Sequence, residues 1–323
     1  MSTVEGAAGL NDSFAQGCYV VLHMAPTPSA FAEANGSPLI VSDASTHFQL
    51  SEDIWIERLD ERLAKNIQQA CEPAHYKINN AGYDRHLYAF VRRANTGEKS
   101  KYEGMSDLHA LIALSRLVNP TSTGDRYCAQ VFQYGAKDSP VYAIQYRGMS
   151  PDVALATNSR DWLSVEDGEF LCKLMPWLLK KMHPRVHRAY WNHEYTMRSY
   201  YLDARWPLVV SGLEALISVG EDDPSWQFRD RGRQLASEFK IDLTDDDLRV
   251  AYRLRSKLVH AEGFLSGLET VLPQNEHSPL YGKLESLLRQ TLRRSLMDET
   301  FGGIFRDDDS VKARFPLSAK PKK

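Results

Sequence analysis

The 323-residue chain contains four cysteines, and no two of them form a C-x-x-C pair. Cys18, Cys71, Cys128 and Cys172 stand far apart. That spacing argues against a zinc site and a disulfide framework, and it fits a reducing compartment. Long apolar runs are missing too. CYVVLHM (18–24) is too short for a signal core or a membrane span, and MSTVEGAAGLNDSFAQG carries no basic segment before it. The expectation is a cytoplasmic protein with no membrane partner. Positive charge is not in excess either: the net charge is −3, so any contact with a polyanion must come from a local basic patch. No G-x-S-x-G, H-E-x-x-H or G-x-G-x-x-G occurs. Thr121-Ser122-Thr123-Gly124 lacks the lysine of a phosphate loop and reads as a turn. His183 and His187 are four apart, but Pro184 lies between them and no third ligand has matching spacing. No metal or other cofactor is expected.

What is present divides the chain in two. Segments 18–24, 38–42, 86–94, 127–134 and 141–147 are short, β-branched or aromatic, and bounded by turn formers, which predicts strands. Segments 53–70 and 106–119 have helical spacing, with Ser51 and Ser106 as N-caps and Pro120 as a stop. Residues 1–155 therefore read as a mixed α/β domain, with 150–161 as its exit. From 162 to 305 the pattern is all-helical, so the fold class is α+β with a helical bundle at the C-terminal side. Ser164 with Asp167 opens a helix that Pro176 kinks. A long helical pattern over 187–219 should break near Ala204–Trp206, ahead of Pro207. Thr244 caps TDDDLRVAYRLRSKLVHAE, and Ser278-Pro279 opens a last helix that Gly302-Gly303 ends. Residues 306–323 read as a disordered tail.

The chemistry concentrates in AYRLRSKLVHAEG (251–263). At about 100° per residue, Leu248, Ala251, Tyr252, Leu258 and Val259 form an apolar stripe with Arg255 in its middle. A buried arginine must be paired or used. Ser256 and His260 follow on one edge of the helix, four apart, so the hydroxyl can steer the imidazole. Arginine binds phosphate in bidentate fashion and needs no metal. Histidine suits acid–base work near neutral pH. Arg253 and Lys257 face outward beside His260 and are RNA-contact candidates.

RSKLVH matches the R-x-x-x-x-H pattern of the HEPN superfamily, with a polar residue after the arginine. RWPLVVSGLEALIS (205–218), RDRGRQLASEF (229–239) and LRVAYRLRSKLVHAEG (248–263) together resemble the ApeA-like branch of that superfamily. The resemblance covers roughly residues 185–300. Many relatives have glycine directly after the histidine, whereas this chain has Ala261-Glu262-Gly263. The resemblance implies a metal-independent endoribonuclease acting as a homodimer, with the two motif helices facing each other across a composite cleft. Products would be a 2′,3′-cyclic phosphate and a 5′-hydroxyl. Arg255 would contact the scissile phosphate, His260 would act as acid, base or phosphate ligand, and Ser256 would orient one of them. The substrate would be RNA such as tRNA or mRNA, in a toxin or anti-phage role, with residues 1–155 receiving a trigger or an antitoxin.

Three features carry plainer readings. A second R-x-x-x-x-H match, Arg188–His193, has alanine after the arginine and reads as chance. Glu214 lies beside an apolar stripe, either as a carboxylate that holds Arg255 for catalysis or as half of a structural ion pair. Arg229, Arg231 and Arg233, with Arg289, Arg293 and Arg294, read more readily as faces paired with acids than as an RNA surface. Two alternatives to catalysis stand: a non-catalytic HEPN module that binds a nucleotide or protein partner, and a structural Arg255 neutralised by Glu214.

Overall fold

The computed structural model describes residues 18–24, 47–51, 53–58, 63, 66, 69, 87–93, 105–120, 127–134, 141–148, 163–199, 202–220, 223–259 and 274–320. The predicted strand at 38–42, the exit at 150–161, the turn at 121–124 and His260 lie outside them. The chain divides into two compact units, 1–180 and 181–323.

The first unit is built on strands β1 (Cys18–Met24), β2 (His47–Gln49), β3 (Ile54–Arg58), β4 (Leu87–Arg93), β5 (Tyr127–Tyr134) and β6 (Val141–Gly148). They form one sheet of order β2-β3-β4-β1-β5-β6. Every pairing is antiparallel, with Val20 opposite Val91 on one side of β1 and opposite Ala129 on the other. An antiparallel sheet with helices makes the fold α+β. Helix α1 (Met105–Val118) packs on β1 and β4. Four of the predicted strands recur here as β1, β4, β5 and β6, whereas β3 was not among them: IWIER, predicted as the start of a helix, is a strand. Ile54, Trp55 and Ile56 are all buried beside β4. Bulky β-branched and aromatic residues favour that pairing over the helical spacing. Ser51 accordingly precedes a strand and caps no helix, its hydroxyl bonding Asp53.

Helix α2 (Val165–Leu174) opens with the predicted capping box of Ser164 and Asp167. A 3-10 turn, Met175–Leu178, follows at Pro176. The Asn119 amide donates to Asp167 Oδ2 at 3.0 Å, tying α2 to the end of α1. The tie keeps α2 with the first unit, which runs to 180.

The second unit is helical throughout its described residues: α3 (Pro184–Arg198), α4 (Leu202–Ile217), α5 (Pro224–Glu238), α6 (Asp245–Val259), α7 (Gln274–Met297), α8 (Glu299–Gly303) and α9 (Asp308–Arg314). The break in the long helical pattern falls after Arg198, ahead of the predicted place. Pro207 is the sixth residue of α4, past its first turn, so it removes one backbone donor there without ending the helix. Thr244 and Asp247 form a reciprocal cap at the start of α6. Pro279 lies within α7, which begins four residues before Ser278. That helix ends at Met297, and Gly302-Gly303 belongs to α8 instead.

Residues 306–320 are not a disordered tail. Val311 and Phe315 are buried, and Phe315 stacks on Phe305 at 6.5 Å. Arg231, buried on α5, donates to the carbonyls of Phe315 (3.0 Å) and Ile217 (3.1 Å) and to Gln227 Oε1 (2.6 Å). The Ser318 amide donates to Asp230 Oδ2 at 2.8 Å. The tail composition is polar, but two buried rings and an arginine clamp hold it.

Candidate functional site

The core beneath the site forms where α3 and α4 pack closely. Gly212 permits the approach: a Cβ there would meet Leu288 Cδ2 at 2.7 Å and Asn192 Cβ at 3.3 Å. Trp206, fully buried, donates its indole N–H to the Ala251 carbonyl at 3.2 Å and fixes α6 against α4. Leu248, Ala251 and Leu254 form the buried stripe of α6. The predicted stripe placed Arg255 at its centre and omitted Leu254. In the structure Leu254 takes the core position at 1% exposure, whereas the Arg255 side chain keeps 30%. The side chains of Leu258 and Val259 lie outside the described residues.

Arg255 lines a cleft of about 500 Å³ between α3, α4 and α6. Pro184, Arg185, Arg188 and Asn192 come from α3, and Ser211, Glu214, Ala215 and Ser218 come from α4 and its end. Arg255 Nη2 stands 3.1 Å from Glu214 Oε2. The two charges attract, but they are off the hydrogen-bond axis. Glu214 Oε2 and Arg255 Nε both lack a hydrogen-bond partner among the described residues. The Arg255 guanidinium also lies over the Tyr252 ring, 6.0 Å from its centroid. Burial holds the Glu214 carboxyl above its ordinary value, and Arg255 offsets part of that rise. Burial, then the charge of Glu214, likewise raises the Tyr252 hydroxyl.

The other two arginines differ in how far they are committed. Arg185 donates to the carbonyls of Ala215 (3.0 Å) and Ser218 (2.8 Å) and pairs with Asp308. It caps the C-terminal end of α4, where unsatisfied carbonyls and the helix dipole favour a cation. Arg188 is exposed and has no ion-pair or hydrogen-bond partner for its guanidinium among the described residues. Three guanidinium groups and one carboxylate thus line the cleft. Such a lining suits an anion with several oxygens, a phosphate above all.

The structure brings Arg255 and Glu214 together and leaves Ser256, Arg253 and Lys257 outside the cleft. Ser256 is half-buried, Arg253 is exposed, and Lys257 is half-buried with interactions of its own. None of the three is among the residues lining the cleft. The second motif match splits. His193 is buried with its Nε2 3.1 Å from Glu285 Oε1, and Arg289 donates to the same oxygen at 3.0 Å. It belongs to the core. Arg188, dismissed with it, lies in the cleft beside Arg255. The signal for Arg188 was present in the sequence as an arginine on an exposed helical face, but nothing local ties residue 188 to residue 255. Arg185 and Asn192 were missed for the same reason.

The remaining arginine clusters are structural. Arg229 pairs with Asp245 (3.4 Å), Arg233 with Asp230 (3.0 Å) and Arg294 with Glu238 (3.4 Å). His187 Nε2 accepts the Trp191 indole N–H at 2.9 Å. No group of three His, Cys, Asp or Glu side chains that could hold a metal occurs among the described residues. No described helix is long and apolar enough to cross a membrane.

Scans against family models, curated proteins and solved structures each return no match.

Proposed function

We propose that the helical unit is a metal-independent endoribonuclease of HEPN type. The observation that carries the reading is the place of Arg255. It is at the wall of an arginine-lined cleft, partly exposed, with one donor unsatisfied. In this reading the 2′-hydroxyl of RNA attacks the adjacent phosphorus. A base takes the hydroxyl proton, Arg255 stabilises the charge on the phosphorane oxygens, and an acid protonates the departing 5′-oxygen. His260 supplies one of the proton transfers, and Ser256, four residues earlier, orients it. Glu214 holds the Arg255 fork in place. The products are a 2′,3′-cyclic phosphate and a 5′-hydroxyl. Two copies of the chain place their α6 helices together, and the biological setting is toxin activity or anti-phage defence, with a trigger or antitoxin acting through residues 1–155.

The test is incubation of the full chain with RNA in EDTA. Arg255→Ala and His260→Ala should each abolish cleavage while leaving the circular dichroism spectrum and melting temperature near wild type. Wild-type cleavage by both variants would sink the assignment.

The Arg255–Glu214 pair within one subunit favours a second reading, in which Arg255 is structural and neutralised by Glu214. No cleavage of any RNA, with motif helices that do not converge across a dimer, would select it.

A further inference from the structure

The geometry points to α3 as the track for single-stranded RNA: Arg188 holds a phosphate in the cleft while Trp191 and Tyr195 stack the adjoining bases. The ligand's identity rests on the ribonuclease reading, and the placement rests on four observations. Arg188 is an exposed cation with no partner among the described residues, so no fold interaction explains its position at the cleft. Asn192, one turn on, lines the same cleft. Arg255 lines the same wall, its side chain 30% exposed. Beside them the helix exposes two large rings, Trp191 at 41% and Tyr195 at 55%. Their centroids are 6.0 Å apart, with planes tilted by 35°.

Helical geometry joins these groups into one strip. At about 100° per residue, Arg188 and Tyr195 (i, i+7) lie on nearly the same line, with Trp191 and Asn192 flanking it. The strip runs about 10 Å along the helix. Cations that take phosphates beside rings that take bases are the combination that binds single strands, whose bases are free to leave their own stack. A duplex would keep its bases from the rings. The cleft keeps a positive excess, three arginines against Glu214 and the Asp308 that pairs with Arg185, which favours a polyanion over a protein surface. It supplies the local patch that a chain of net charge −3 needs.

The probe is a fluorescent 2′-O-methyl RNA oligonucleotide, which lacks the attacking hydroxyl, followed by anisotropy over a range of salt. Arg188→Gln should weaken binding about tenfold and lower the salt slope by roughly 0.7, the value for one phosphate on a single strand. Trp191→Ala with Tyr195→Ala should weaken it at least tenfold with the salt slope unchanged. Arg306→Gln, outside the cleft, should bind as wild type. If the α3 variants bind as wild type while the protein cleaves RNA, the track is wrong and the ribonuclease stands. If they lose binding but the wild type cleaves nothing, the track stands and the ribonuclease falls. If the aromatic pair changes only the sedimenting mass, the face is a protein interface and the inference is overturned.

Discussion

Glu214, half-buried, and His193, buried, show two ways in which burial acts on an ionisable pair. Glu214 is desolvated, so its folded-state pKa lies above the unfolded one near 4.3. Its ionisation therefore costs stability at neutral pH, and the cost fades as pH falls through the raised value. Glu214→Gln should melt at or above the wild-type temperature at pH 7, and the gap should close toward pH 4. RNA cleavage by the same variant should drop about tenfold or more, because Arg255 loses its anchor. A variant that both unfolds and cleaves normally would reverse the assignment of that pair. Glu285 behaves oppositely. Burial would raise its carboxyl, but His193 and Arg289 outweigh burial and bring it below its ordinary value. Removing His193 leaves that carboxylate short of a partner, so His193→Ala should destabilise by about 3 kcal/mol in urea unfolding. RNA binding in the folded fraction should be unchanged.

At the scale of elements, the cleft exists because helices cross closely. Gly212→Ala would push a methyl into Leu288 and Asn192 at the α3–α4–α7 crossing. It should cost about 1–3 kcal/mol and should also weaken RNA binding, since Asn192 carries the cleft wall. The same crossing explains which parts of the fold were legible in the sequence. Capping residues act within one turn, so Ser164 with Asp167 and Thr244 with Asp247 could be read directly. The β1, β4, β5 and β6 segments were legible from their β-branched and aromatic residues and their bounding turns. IWIER was not, because five residues fit both periods and only pairing with β4 decides. Arg255 could be picked out by motif, and Glu214 by its place beside a stripe. Arg188 could not, because its meeting with Arg255 depends on how α3, α4 and α6 pack.

At the scale of the whole molecule, the C-terminal residues close the helical unit. Phe315 is buried, and its carbonyl accepts from Arg231, itself buried. Phe315→Ala should cost about 3 kcal/mol, read as a lowered midpoint in thermal or urea unfolding. Acid should act on the same region. Burial would raise the Asp230 carboxyl, but the Ser318 amide and Arg233 bring it below its ordinary value. Its stabilising effect is present above the unfolded value and is lost as pH falls through the folded one. Stability should therefore decline below about pH 4, and Asp230→Asn should be less stable than wild type at pH 7 with the difference narrowing in acid. The proposed dimer would add a second copy of the cleft. The full chain should sediment at twice its own mass, whereas a monomer that cleaves RNA would exclude a composite site.

The most direct measurement is end-group analysis of RNA fragments made by the full chain in EDTA. The account predicts 2′,3′-cyclic phosphate and 5′-hydroxyl ends, absent from parallel reactions with Arg255→Ala. Fragments bearing 5′-phosphate and 3′-hydroxyl ends, or cyclic-phosphate fragments made equally well by Arg255→Ala, would contradict it.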